Sequence, residues 1–215
     1  MYTHNGWTGN RDANAVLGQA TSTGADLIVL CEVNAEVVRA AIAGVDGYPE
    51  LERLAPEPGV HGWVLVLSRY PMRPIQSPEM EGIGVVAVRV EHAVPVDLVA
   101  LHTPSPRSRR RWKHGLGGVQ RLAAWIDDRE GVRPVVVAGD LNGGPRSARG
   151  RLIRRTLDPS QGWLDGGTFP AAVPGFARLV IDGVWTDDRL VRSSRTVLPA
   201  AGSDHAALLV TLSER

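Results

Sequence analysis

The chain has 215 residues, 43% hydrophobic and 22% charged, the balance of an ordinary globular protein long enough to bury a large core. A formal net charge of +1 excludes a global field that would select nucleic acid or membrane surfaces. The single cysteine, Cys31, excludes an intrachain disulfide, and no apolar run is long enough to span a membrane.

Met1 to His4 reads as a short strand leading to Asn5. Asn10 is placed as the cap of a helix over roughly 11–22 that Gly24 ends. The continuous apolar run Asp26 to Cys31 predicts a buried strand, with Cys31 a small buried thiol rather than a nucleophile. A helix is expected over Ala35 to Ala43 and a buried strand over Trp63 to Leu67, stopped by the turn Ser68 to Pro71. Val85 to Val90 and Val96 to Leu101 form an expected antiparallel pair. Trp112, Leu116, Val119, Leu122 and Ile126 recur at spacings of three and four, the stripe of an amphipathic helix whose tryptophan is expected in the core. Further along, a strand is expected from Pro134, a helix over Ala148 to Leu157, and strands over Phe176 to Trp185, Leu190 to Leu198 and Ala206 to Leu212. No repeat, linker or boundary interrupts this order, so one domain over 1–215 is expected, with two sheets packed together and helices outside.

The run Val135 to Asn142 is the most informative. A β-branched stretch ends in Gly139, followed by Asp140 and Asn142 two residues apart, so both heads should leave the sheet edge on one side. A strand ending in an ordinary turn is the plain alternative. Four other clusters also lie at or just beyond apolar runs: Asn5, Glu32, His102, and Asp182 with Asp204-His205. If Glu32, Asp140 and Asp204 converge, they repel; two unit charges roughly 4 Å apart cost about 4 kcal/mol at an effective dielectric of 20. A hard divalent cation relieves that best, which points to Mg²⁺ or Mn²⁺ and to a phosphate-bearing substrate. No Cys/His cluster has zinc spacing, and no Gly-rich P-loop is present.

Taken in order, Thr3-His-Asn5, Ala25 to Glu32, Leu67 to Pro71, Ala100-Leu-His102, Gly139 to Asn142, Ile181-Asp182 and Gly202 to His205 resemble the endonuclease/exonuclease/phosphatase superfamily. The resemblance implies a four-layered α/β sandwich, two packed and mostly antiparallel sheets flanked by helices, and Mg²⁺-dependent cleavage of a phosphate ester. It implies that Glu32 binds the metal with Asn5 beside it and Asp204 completing the acidic side. Asp140 would orient or deprotonate the attacking water and Asn142 would hold a phosphoryl oxygen. His205, fixed by Asp182, would contact the phosphate, and His102 would contact phosphate or assist the leaving group. Three departures stand out: Cys31 replaces the usual Gln, Gly183 follows Asp182, and the Glu that supports the first histidine in the deoxyribonuclease branch has no equivalent near Trp63. His61, His92 and His114 lack a matching context and read as surface or core residues.

Two arginine clusters, Arg107 to Lys113 and Arg146 to Arg155, follow site segments, and Arg107, Arg109 and Arg146 are the candidate contacts to a polyanion such as DNA or RNA. A solvated helix face is the alternative. Three functions remain open: a nuclease of low sequence specificity, a phosphatase of lipid or sugar phosphates, and a catalytically silent binding scaffold. With no signal peptide visible, the expectation is a cytoplasmic monomer, although a segment upstream of Met1 could have been removed.

Overall fold

The computed structural model describes residues 1–57, 61–77, 80, 82–129, 133–159 and 166–215. In chain order the elements are β1 (Tyr2–Asn5), α1 (Ala13–Ser22), β2 (Leu27–Val33), α2 (Ala35–Ala43), β3 (Glu50–Leu54), β4 (Trp63–Ser68) and β5 (Met72–Pro74). There follow β6 (Gly84–Val90), β7 (Val96–His102), α3 (Arg109–Asp127), β8 (Val135–Asp140), α4 (Ala148–Thr156), β9 (Asp158–Pro159), β10 (Asp182–Thr186), β11 (Leu190–Leu198) and β12 (Ala207–Glu214). One sheet has the order β11-β12-β1-β2-β4-β3, the other β5-β6-β7-β8-β10-β9. Among the described residues, only β1–β2 and β7–β8 pair in parallel; the other strand pairs are antiparallel.

The layering follows from the alternation of strand side chains. In β2, Ile28 and Leu30 face α1 and α2, packing with Val16, Leu17, Val37 and Val38. Val29 and Cys31 face the second sheet, packing with Leu98, Ala100, Val136 and Ala138. In that sheet the alternate set, Val99, Leu101, Val135 and Val137, packs against Val119, Leu122 and Ile126 of α3 and Ile153 of α4. Because both faces of the central strands are covered, their sequences are continuous apolar runs rather than alternating ones. The result is helices, sheet, sheet and helices in four layers. Cys31 is fully buried, with its thiol 3.3 Å from the Leu101 carbonyl.

Local details differ from expectation where tertiary contacts compete. Asp12, not Asn10, caps α1, accepting from Ala15 N at 2.9 Å. Asn10 is drawn away: its amide donates to Ala201 O at 2.9 Å, tying the first loop to the segment before Asp204. Trp112 lies 42% exposed, because Gly115, Gly118 and Ala123 complete the buried face of α3. No strand starts at Phe176; a 3-10 turn at Gly175–Ala177 follows Pro174, Phe176 is 93% exposed, Leu179 makes only an isolated bridge to Phe169, and the strand begins at Asp182. No described helix is long and apolar enough to cross a membrane.

At the far end of β7, away from His102, Asp97 is buried and accepts from Arg89 Nε at 2.7 Å, with Arg129 as a second partner. Burial works to raise its carboxyl, but the hydrogen bonds and charges of the two guanidinium groups outweigh that and hold it below the ordinary value. A depressed folded-state value means the stabilisation is full above the unfolded carboxylate range and is lost as pH falls through the folded value. Asp97→Asn is therefore expected to cost about 2–3 kcal/mol near neutral pH, since it leaves two partly buried cations unpaired. Its stability curve should be flatter than the parent's between about pH 5 and pH 2. Urea unfolding across that range tests this, and parallel curves would contradict it.

Candidate active site

The strands deliver their polar residues to one end of the sandwich. Register puts Asn5 opposite Cys31 on β1–β2, His102 opposite Asp140 on β7–β8, and Asp140 opposite Asp182 on β8–β10. Glu32 arrives differently. Leu30 pairs with Leu65 but Val33 with Trp63, so β2 carries a bulge that re-aims the residues between them. Glu32 takes φ 53°, a conformation costly for a side-chain-bearing residue. Gly62 leaves room for it: a Cβ there would lie 2.6 Å from the Glu32 Cα, and Gly62 itself has φ 68°.

Asp140 is fully buried. Its Oδ2 accepts from Asn5 Nδ2 and from Asn142 Nδ2, each at 2.9 Å, and its Oδ1 accepts from Asn142 N at 2.6 Å. Asn5 Nδ2 also donates to Glu32 Oε2 at 3.1 Å, so one amide bridges the two carboxylates. Asn142, at φ 45°, has left the strand, and its side chain folds back to donate to Thr103 O at 2.9 Å as well. His102 Nε2 lies 3.4 Å from Glu32 Oε2, while its buried Nδ1 has no partner among the described residues. Glu32 itself thus stands beside the first histidine, where the sequence offers no separate supporting Glu.

The second half is a histidine pair. His205 Nδ1 is 2.8 Å from Asp182 Oδ2, which also accepts from the Thr168 hydroxyl. Buried His4 donates from Nε2 to the His205 carbonyl at 3.0 Å, and the Phe169 ring lies 4.7 Å from the His205 ring. Ser203 Oγ donates to Asn5 O at 2.6 Å and accepts from His205 N at 3.1 Å, linking the two halves. Thr168 and Phe169 were not singled out from the sequence, and His4 and Ser203 entered only as members of the segments Thr3-His-Asn5 and Gly202 to His205, with no role of their own.

Electrostatics follow from this burial. Asp140 is lifted to about 7 by burial first and by the Asp182 charge second, against the opposing effect of the two histidines. Burial lowers the tendency of His205 to protonate, yet the charge and hydrogen bond of Asp182 outweigh it and raise the imidazole to about 9. Burial also raises Asp204, helped by Glu32, although His205 pulls the other way. Burial would raise Glu32, but hydrogen bonds from His102 and Asn5 bring it below its usual value. Burial keeps His4 neutral, at about 4.

The groups surround a cleft of about 410 Å³. Glu32, His102, Asn142, Asp204 and His205 line it, and Arg107 joins them. Asn5, Asp140 and Asp182 lie just beneath its floor, buried and bonded to that lining. Arg109 and Arg146 are exposed and do not line the cleft. Arg149, from the second basic cluster, is buried; its Nη1 donates to Thr103 Oγ1 and Pro104 O at 3.0 and 2.9 Å, a structural role. Conversely, His61, Arg111 and Trp7 do line the cleft. His61 thus has a site context that its isolated place in the sequence hides.

One ligand atom each from Glu32, His102 and Asp140 lies within 4.8 Å of the others, as do those of Asp140, Asp182 and His205. The first set, two carboxylates and an imidazole, is a group that could hold a metal ion.

Residues 2–205 match the family model described as the endonuclease/exonuclease/phosphatase family. No curated protein matches the chain. Among solved structures, an endonuclease/exonuclease/phosphatase from Beutenbergia cavernae is 19% identical with a TM-score of 0.71, covering 99% of this chain and 70% of that one. A humanised D. rerio TDP2 is 14% identical with a TM-score of 0.76, covering 99% and 97%. A mannosyl-6-phosphatase from Bacteroides thetaiotaomicron is 11% identical with a TM-score of 0.75, covering 99% and 98%. At these identities the likeness is one of fold.

Proposed function

Because the chain belongs to the endonuclease/exonuclease/phosphatase family, we propose that it hydrolyses phosphate esters with the help of a divalent cation, phosphodiesters of nucleic acid being the first substrates to test. The observation that carries this reading is the meeting of Glu32, His102, Asp140 and His205 from four separate strand ends around one cleft.

Glu32 would hold the cation, with Asn5 orienting its carboxylate and Asp204 adding negative charge at the cleft wall. Mg²⁺ suits such oxygen donors, and Mn²⁺ is the near alternative. Such an ion, when bound, neutralises phosphate charge and polarises the ester. Asp140 takes the proton from the attacking water: it is rigidly held by three N–H donors, so its orientation is set before substrate arrives. Asn142 would hold a phosphoryl oxygen by redirecting one of its two amide N–H bonds, which in this structure go to Thr103 O and Asp140 Oδ2. His205, kept cationic by Asp182, neutralises the additional charge of the transition state. His102 is placed to steady the phosphate or to give a proton to the departing oxygen.

Supercoiled plasmid, single-stranded RNA and a panel of lipid and sugar phosphates should be incubated with Mg²⁺, with Mn²⁺ and with excess EDTA. Hydrolysis of at least one ester is expected, abolished by EDTA and restored by excess Mg²⁺ or Mn²⁺. Cleavage of sugar or lipid monoesters alone would move the substrate class to phosphatase chemistry. Turnover that survives EDTA would remove the cation from the mechanism.

A further inference from the structure

We propose that the cleft contains a second anion subsite, formed by Arg107 and Arg111 with His61, which binds a phosphate neighbouring the one that is cleaved. This rests on the phosphoesterase reading of the same cleft.

Arg111 is held in place from three directions. Its backbone N–H donates to the helix-capping Ser108 Oγ at 3.2 Å, and its carbonyl accepts from buried Arg149 Nη2 at 3.3 Å. Its side chain donates from Nη2 to His61 Nε2 at 2.8 Å. A guanidinium can only donate, so that imidazole nitrogen carries the lone pair. Among the described residues, His61 is the only side-chain partner of Arg111, and Arg107 has none.

Some arginines elsewhere in the protein are committed to carboxylates. Arg73 pairs with Glu91, Arg89 and Arg129 share Asp97, and Arg189 pairs with Asp187. In the cleft, by contrast, Arg107 and Arg111 are lining residues alongside Glu32 and Asp204 and, among the described residues, are ion-paired to neither. The cleft therefore has two poles, one acidic at the strand ends and one basic at the start of α3. A substrate with a single phosphate uses only the acidic pole, its cation and His205. One with two adjacent phosphates complements both poles, and the fixed guanidinium fork suits phosphate oxygens.

Inorganic pyrophosphate is the probe, titrated calorimetrically in EDTA into the full chain. The parent is expected to bind it, and Arg111→Ala and Arg107→Ala each to weaken binding by about tenfold or more. Arg110→Ala, on the exposed part of the same helix turn and outside the cleft lining, should leave binding unchanged. Absence of binding by the parent, unchanged binding by Arg111→Ala, or an equal loss in Arg110→Ala would each overturn the subsite. With Mg²⁺ present, the parent should prefer thymidylyl-thymidine bearing a 5′-phosphate over the same dinucleotide without one, through KM. Arg111→Ala should erase that ratio; a ratio that survives also overturns the proposal. The titration needs neither metal nor turnover, so a protein that hydrolyses nothing but still loses pyrophosphate on Arg111→Ala would refute the phosphoesterase reading and leave the anion site standing.

Discussion

Asp140→Asn is expected to lower phosphate-ester hydrolysis by about 10³-fold, some 4 kcal/mol of barrier, while the protein still folds. The substitution keeps size and removes the proton acceptor. Its structural effects oppose one another. Whichever way the new amide turns, its NH2 meets a donor: Asn5 Nδ2 and Asn142 Nδ2 at the Oδ2 position, or Asn142 N at the Oδ1 position. Asn5 cannot simply turn over, because its own oxygen accepts from Trp7 N at 3.0 Å. Against that loss, a charge disappears from a fully buried position next to Asp182, where burial already disfavours it. Net stability should change by about 1 kcal/mol or less. Steady-state hydrolysis under saturating Mg²⁺, with thermal unfolding alongside, separates the two effects. Near-parental turnover in a folded Asp140→Asn protein would sink the assignment of Asp140 as the base.

Gly139→Ala is expected to have the largest effect on stability, a loss of about 4 kcal/mol or more with Tm lowered by roughly ten degrees. Gly139 has φ 136°, a region side-chain-bearing residues rarely enter. An added Cβ would lie 2.1 Å from the Leu101 carbonyl oxygen and 3.0 Å from Cys31 Sγ. Leu101 is the register partner of Gly139 in the parallel β7–β8 pair, so that carbonyl cannot retreat without opening the sheet. Cys31 is packed between the two sheets and has no exposed route to move into. Strain at this point also moves Asp140, the next residue, so metal affinity and hydrolysis should fall together with stability. Denaturant unfolding provides the measurement, and a shift below about 1 kcal/mol would show that the strand can relax in a way this packing does not suggest.

Much of the architecture was legible because burial on both faces leaves an unambiguous mark. The apolar runs of β2, β4, β7 and β8 read as strands, and α2 was placed at Ala35–Ala43, where Asn34 caps it and Gly44 ends it. The missed strand β3, Glu50–Leu54, is charged, partly exposed and at a sheet edge, so its pairing with β4 rather than its composition makes it a strand. Asn10 has the chemistry of a cap, but a carbonyl distant in sequence, Ala201, claims its side chain. The arginines of α4 look alike in sequence, yet Arg149 is buried among carbonyls while Arg151 and Arg154 are exposed.

The order of Asn5, Glu32, His102, Asp140, Asn142, Asp182 and Asp204-His205 along the chain was enough to name the family, because each residue follows its own strand or turn signal. Their mutual distances were not: they depend on the register of β1–β2, β7–β8 and β8–β10, on a bulge that turns Glu32 to φ 53°, and on Gly62 giving it room. The pairing of His61 with Arg111, 50 positions apart, is further still from any local pattern. Hydrophobic periodicity is local and written residue by residue, so the layers could be read from it. Polar convergence is a property of how strands are paired and bent, and only the folded chain decides it.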